Sequence, residues 1–136
     1  MRKLALLAVL AAGAVFAPAA VASPTLRMTI VHLVQGCHVW GDALGDPTTP
    51  TRTITVKPGT KLQIRINCPM SFDFSQLSGP TLALGDPQTF PGTARTIVFK
   101  RAGVYKLRAV NVETSEQQGL QTLGPDNTLF LTVRVR

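Results

Sequence analysis

Residues 54–68 read ITVKPGTKLQIRINC and hold the clearest strand pattern in the sequence. After the Pro58-Gly59 pair, which is typical of a turn, apolar and polar side chains alternate strictly. Such alternation predicts a strand with one buried face. The buried face carries Leu62, Ile64 and Ile66. The same phase, continued by two positions, places Cys68 on the buried side as well.

The same pattern recurs in RTIVFK (95–100), GVYKLRAVNV (103–112) and NTLFLTVRVR (127–136), whereas helical periodicity is absent. An earlier segment, RMTIVHLV (27–34), is rich in residues that favour strands, but its pattern leaves open which side chains point inward. Either its inward set is Met28, Ile30, His32 and Val34, or it is Val31 and Leu33. Segments rich in Gly, Pro, Asp and Thr separate the strands. The sequence therefore predicts an all-β, two-sheet Greek-key sandwich of about seven short strands, with an immunoglobulin-like sandwich as the alternative.

The first 22 residues have the pattern of a cleaved secretory signal peptide. Arg2 and Lys3 precede an apolar run that ends in the small residues of 20–22, Ala-Val-Ala. The run is too short to span a bilayer, and no later stretch approaches the required ~20 apolar residues. We therefore expect residues 23–136 to form a single domain, secreted or held in the periplasm or cell envelope. We expect it to be monomeric and without a membrane span.

The charge balance narrows the class of partner. Loss of Arg2 and Lys3 with the leader lowers the net charge from +7 to +5. No basic run is longer than Lys100-Arg101, and aromatic residues do not alternate with the basic ones as base stacking requires. The sequence thus disfavours nucleic acid. It favours a partner that is either a protein or an anionic cell surface.

Two cysteines in an exported chain predict one disulfide, from Cys37 to Cys68, with no thiol left over. Their separation of 31 positions in a helix-poor chain disfavours a catalytic redox pair, which usually sits close in sequence at a helix end. No catalytic residues are predicted either. The serines lack a G-x-S-x-G turn, and the loop aspartates stand beside Gly and Pro as turn formers do. We therefore expect the protein not to be an enzyme.

Two segments together resemble the cupredoxin family. They are ITVKPGTKLQIRINCPMSFDF (54–74) and FPGTARTIVFKRAGVYKLRA (90–109). In that family a V-x-P-G turn leads into an alternating strand that closes at an Asn, and an F-x-x-x-G-x-Y hairpin follows later. The matching residues here are Val56, Pro58, Gly59 and Asn67, then Phe99, Gly103 and Tyr105. The resemblance covers about half of the chain that follows the leader, and it implies a cupredoxin-like sandwich.

The departures from the family concern the metal. A blue-copper member places a histidine just after the strand that ends at Asn67, where this chain has Pro69 and Met70. The family also places a cysteine four residues after the hairpin tyrosine, where this chain has Ala109. No Cys, His or Met follows Ala109. A type 1 copper site, which needs a thiolate and two imidazoles, is therefore not expected.

The resemblance also implies that the first strand runs parallel to the strand ending at Asn67, so that both end on the same side of the molecule. Cys37 and Cys68 would then be neighbours, with His38 and Met70 close by. His38, Met70 and His32 are the candidate ligands of a copper ion, because imidazole and thioether suit Cu(I). Cys37 and Cys68 would join them only if reduced. The alternative is that the histidines only complete a loop or bind a backbone group.

The sole tryptophan, Trp40, has two readings: it packs over the predicted disulfide, or it stands exposed as a partner-binding anchor. Taken together, the sequence predicts a secreted, non-enzymatic cupredoxin-like binding module with a copper site near His38 and Met70. The alternative is a structural or protein-interaction sandwich without metal.

Overall fold

The computed structural model describes residues 19, 21–33, 38–112 and 128–136, and these contain nine strands. The strands are β1 (Thr25–His32), β2 (His38–Gly41), β3 (Thr51–Val56), β4 (Thr60–Asn67), β5 (Ser71–Ser78), β6 (Gln88–Thr89), β7 (Ala94–Phe99), β8 (Gly103–Val112) and β9 (Thr128–Val135). About seven had been expected, and the count rises because β2, β5 and β6 were not anticipated. Most of the predicted signal peptide, 1–18 and 20, lies outside the described residues.

The strands form two sheets. Sheet 1 has the order β2-β1-β4-β7, and sheet 2 has the order β3-β9-β8-β5-β6. Two pairs are parallel, β1 with β4 and β3 with β9, whereas the other pairs are antiparallel. The chain changes sheet several times, for example from β3 to β4 and from β7 to β8. This is the all-β sandwich predicted from the sequence, with the parallel first strand that the cupredoxin resemblance implied.

The alternating stretch folds as predicted. Leu62, Ile64 and Ile66 of β4 are completely buried between the sheets. The same register settles the phase of β1, because Met28 lies opposite Ile64 and Ile30 opposite Ile66. Met28 and Ile30 therefore face the interior, and alternation puts His32 on the same face. Val34, the last member of that inward set, lies outside the described residues.

The turn between β3 and β4 explains why Pro and Gly stand side by side. The Thr60 amide donates to the Lys57 carbonyl at 3.2 Å and closes a four-residue turn. Pro58 occupies its second position and Gly59, with φ of 87°, its third. This is the arrangement of a type II turn, in which a side chain at the third position would be strained. The turn carries the chain from sheet 2 to sheet 1.

The core lies between the sheets and is built from the inward positions predicted for β7, β8 and β9. These positions are Ile97, Phe99, Tyr105, Leu107, Ala109, Leu129, Leu131, Val133 and Val135, and all are buried. Phe99 and Tyr105 meet edge to face with ring centroids 5.0 Å apart. The Tyr105 hydroxyl donates to the Arg101 carbonyl at 2.7 Å, so its one polar atom is satisfied. Within the described ranges no helix has the length and hydropathy needed to cross a membrane.

Candidate metal centre at the histidine end of the sandwich

The two histidines lie opposite each other where β1 ends and β2 begins. They are partners in the antiparallel register, and Nδ1 of His32 is 3.5 Å from Nε2 of His38. The rings stand nearly perpendicular, with centroids 5.2 Å apart. His38 is fully buried, whereas His32 is exposed. The pair therefore joins the interior of the sandwich to its surface.

His38 is held by an aromatic neighbour from the other sheet. Its ring meets Phe72 of β5 edge to face at a centroid distance of 5.2 Å. Phe72 is itself fully buried, in register with Asn111 of β8. The edge-to-face contact and the burial fix the orientation of the imidazole. Through this contact the histidine pair of sheet 1 packs against the start of β5 in sheet 2.

Two sulfur atoms come from the segment between β4 and β5, at the same end of the molecule. Val31 lies opposite Asn67 in the parallel pair. Cys68, the residue after β4, is therefore level with His32, the last residue of β1. Met70 directly precedes β5, and its side chain is 1% exposed. The Cys68 thiol donates to the Met70 carbonyl at 3.6 Å, and burial raises the pKa of this thiol. The neutral thiol is therefore favoured over the thiolate at neutral pH.

The spacing of the two imidazole nitrogens fits a shared metal ion. With metal to nitrogen distances of ~2.0 to 2.1 Å, a separation of 3.5 Å corresponds to an angle of about 115 to 120° at the metal. Two ring nitrogens at that angle suit a three- or four-coordinate ion. The described residues contain no group of three or more His, Cys, Asp and Glu that could hold a metal. The thioether of Met70 is outside that count, and it is buried in the segment that follows β4.

The structure places buried apolar side chains where the family resemblance would put two of its copper ligands. Ala109, at the position of the family's cysteine, is a fully buried residue of β8. Met70 belongs to the segment after Asn67 in which the family has a histidine, and it packs in the hydrophobic core cluster. Neither position offers the thiolate or imidazole that the family uses. The candidate centre is therefore a different ligand set placed at one end of the sandwich.

The predicted disulfide stays a prediction, because Cys37 lies outside the described residues and Cys68 is the one cysteine within them. We expect protein alkylated in denaturant without reductant to gain no alkyl group by intact mass, and to gain two after reduction. Denaturant is needed because the raised pKa of Cys68 would slow alkylation in the folded state even without a bond. Two groups gained without reductant would show two free thiols and would make Cys37 and Cys68 available to the metal site.

Trp40 is not an exposed anchor. Its side chain is 0% exposed, opposite Ile30 in the β1 and β2 register, and its Nε1 donates to the Phe130 carbonyl of β9 at 2.9 Å. A side chain without exposed surface offers no contact to a partner, so the partner-binding reading is wrong. Trp40 belongs to the core, but packing over the predicted disulfide would involve Cys37, which lies outside the described residues. Trp40 shares the inner face of β2 with His38. Its hydrogen bond to sheet 2 fixes the strand that presents the imidazole.

The sequence reasoning missed Arg95, a cation that faces the core. It is 9% exposed, and its guanidinium donates to the carbonyls of Leu84, Asp86 and Gln88 and to the hydroxyl of Thr89. Desolvation lowers the pKa of Arg95, partly offset by the carboxylates of Asp86 and Asp73. The signal was in the sequence, because Arg95 is in phase with Ile97 and Phe99. Arg95 is far along sheet 1 from the histidine pair, on the strand at the opposite edge.

No family model matches the sequence, and no match was found among characterised proteins. Among solved structures, a purple cupredoxin from Nitrosopumilus maritimus is similar at 18% identity and a TM-score of 0.45, over 79% of this chain and 98% of that one. A multi-copper oxidase from Pseudomonas thermotolerans is similar at 14% identity and a TM-score of 0.46, over 85% of this chain and 30% of that one. Reduced rusticyanin is similar at 15% identity and a TM-score of 0.43, over 85% of this chain and 82% of that one.

This chain thus spans about a third of the oxidase that it matches. At such identities and scores the likeness carries no conclusion about this chain. Its own strand order and two parallel pairs show a two-sheet β-sandwich with the parallel first strand that the cupredoxin resemblance implied.

Proposed function

We propose that this protein is a non-enzymatic binding module that holds a copper ion between His32 and His38. The observation that carries the proposal is the 3.5 Å separation of their ring nitrogens, across the ends of two paired strands. Met70 is the third proposed ligand, because it belongs to the segment that reaches the same end from β4. Cys37 and Cys68 would contribute only as free thiols. The leader pattern in residues 1–22 supports a site of action outside the cytoplasm.

The chemistry of the donors favours Cu(I) over other ions. Imidazole and thioether are ligands that soft copper accepts, whereas Ca²⁺ and Mg²⁺ require oxygen. The sequence around the proposed ligands, residues 27–41 and 64–72, contains no Asp or Glu. The bound ion would supply positive charge and redox capacity. The chain would supply a fixed, buried imidazole at His38 and an accessible one at His32.

The proposal is one of binding without catalysis. Two loop aspartates act as turn formers, as the sequence indicated. Oδ1 of Asp42 accepts from the amides of Leu44 and Asp46, and Oδ1 of Asp86 accepts from the amide of Gln88. The amide bonds from Asp46 and Leu44 also lower the pKa of Asp42. One carboxylate oxygen of each aspartate is thus engaged by backbone amides, as in a turn former.

The test is competition for Cu(I) against a chromophoric chelator, with wild type beside His32→Ala, His38→Asn and Met70→Leu. We expect wild type to withdraw copper and each histidine variant to lose at least ~10-fold in affinity, a loss that even residues beyond the ligands commonly cause. Met70→Leu should weaken binding less, because the remaining imidazoles still hold the ion. His32 is exposed, so its replacement leaves the core intact.

Met28→Leu is the matched control. Like Met70, Met28 is a buried methionine, and it lies on β1 four residues before His32. Its replacement should leave the copper affinity unchanged. If wild type leaves the copper on the chelator, the copper proposal fails, and the chain is the structural or protein-interaction sandwich. If Met28→Leu and Met70→Leu weaken binding equally, Met70 is not a ligand.

A further inference from the structure

The outer face of sheet 1 carries positive charge and no carboxylate at its strand positions. The residues that point outward from β1, β4 and β7 are Thr25, Arg27, Thr29, Val31, Lys61, Gln63, Arg65, Asn67, Ala94, Thr96 and Val98. Three of these are cations, and the other eight are uncharged. Asp42, in the turn after β2, adjoins this face because the Thr29 hydroxyl donates to its carbonyl, and its Oδ1 already accepts two backbone amides.

Two of the cations flank a depression in this face. A cavity of about 190 Å³ is lined by Arg27, Met28, Thr29, Ala43, Gln63, Arg65 and Ala94. Since ~10–15 Å³ of such a volume holds one water molecule, the cavity has room for a tetrahedral oxyanion. Arg27 and Gln63 are register partners, and Nε of Arg27 donates to Oε1 of Gln63 at 3.3 Å. That bond places the Arg27 guanidinium at the cavity and leaves the amide nitrogen of Gln63 as a further donor.

The third cation extends the face along β4. Lys61 and Arg65 are four residues apart on one strand, so their Cα atoms are separated by ~13 Å. Arg27 lies on the neighbouring strand, opposite the residue midway between them. The three charges are thus spread along a rigid, flat strip rather than collected at one point. A strip of this length suits several linked anionic groups better than one small anion.

We propose that the outer face of sheet 1 binds a linear phosphate polymer, with one phosphate seated between Arg27 and Arg65 and a following one at Lys61. Arg forks match phosphate oxygens in pairs, and Lys adds a point charge. The outward strand positions of this face carry no aromatic side chain on which a nucleobase could stack. It also has no large exposed apolar side chain at its strand positions to enter a lipid surface. This site is independent of the copper proposal, because its three cations point away from the interior that holds the histidines.

The test measures binding of a short inorganic polyphosphate chain by calorimetry at low and moderate salt. We expect Arg27→Gln/Arg65→Gln to lose at least ~10-fold in affinity. The logarithm of the wild-type affinity should fall with the logarithm of the salt concentration at a slope of about −2, given ~0.7 per phosphate contact of a single strand and three cations. Orthophosphate at the same phosphate concentration should bind more weakly.

The matched control is Lys106→Gln/Arg108→Gln, which removes the same charge from the outer face of sheet 2. It should stay within ~2-fold of wild type. Equal losses in the two double variants would show a response to net charge alone and would overturn the site. So would the absence of polyphosphate binding, orthophosphate binding as tight as that of the polymer, or binding to anionic phospholipid vesicles without binding to polyphosphate. Arg27 and Arg65 are exposed, so unchanged thermal midpoints should confirm that both double variants fold.

Discussion

Replacing Trp40 with Ala should lower the free energy of unfolding by about 4 kcal/mol, which is in the range for large aromatic residues in a core. The side chain is fully buried between the sheets, so its removal leaves a cavity that rigid strands fill only in part. The variant also loses the hydrogen bond from Nε1 to the Phe130 carbonyl. Urea unfolding followed by far-UV circular dichroism measures the change without using the missing indole.

Two further variants separate the parts of this effect. Trp40→Phe keeps most of the apolar surface but not the donor, and should cost about 1 to 2 kcal/mol. Phe130→Ala is the control, because the Phe130 side chain is 41% exposed whereas its carbonyl, which accepts the bond, is unchanged. It should cost less than about 1 kcal/mol. A Trp40→Ala loss as small as the Phe130→Ala loss would contradict the core role and restore the partner-binding reading.

The strands that could be predicted are those in which alternation is strict. In β4, β7, β8 and β9 the apolar members of the alternation from Leu62, Ile97, Tyr105 and Leu129 onward are buried, because every second side chain of a half-buried strand faces the core. The missed strands break this rule. All four residues of β2 are buried, and β5 has a bulge between Gln76 and Ser78 that resets its register.

The candidate site could be predicted only through the family resemblance. The local sequence near His32 and Cys68 does not indicate that β1 and β4 are parallel neighbours. Strand pairing depends on contacts between segments that are distant in the sequence. The facing of His32 and His38 was not predicted, because β2 was not recognised as a strand. Both histidines were nevertheless named as candidate ligands. The local sequence thus supplied the residue types, and the topology supplied their arrangement.

Arg95 shows why a buried charged residue is not predicted from the pattern of polar and apolar residues. An Arg in phase with apolar neighbours would normally be placed on the solvent side, because isolated burial of a cation is costly. Here the carbonyls of the loop before β7 accept hydrogen bonds from the guanidinium, which offsets part of its desolvation free energy. β7 and β6 are the edge strands of the two sheets on this side. Inward charge on an edge strand also disfavours pairing with another chain.

Replacing Arg95 with Met should therefore cost about 3 kcal/mol of unfolding free energy, because charged hydrogen bonds contribute ~1.5 to 3 kcal/mol each and several are lost at once. The guanidinium also lies 5.0 Å from the centre of the Phe74 ring, a contact that Met keeps only as packing. Arg95→Lys keeps the charge but not the fork, and should recover less than half of the loss. Urea unfolding gives these values.

Hydrogen exchange should show where the loss of Arg95 acts. The loop that binds the guanidinium also forms β6, and the Phe74 amide donates to the Pro87 carbonyl at 2.9 Å. In Arg95→Met the amides of Phe74 and Gln88 should lose protection before those of β8 and β9, because only the former depend on this loop. Arg134→Met, at an exposed position of β9, is the control and should change stability by less than about 0.5 kcal/mol. Uniform loss of protection across both sheets would instead mean that Arg95 stabilises the whole sandwich rather than its open edge.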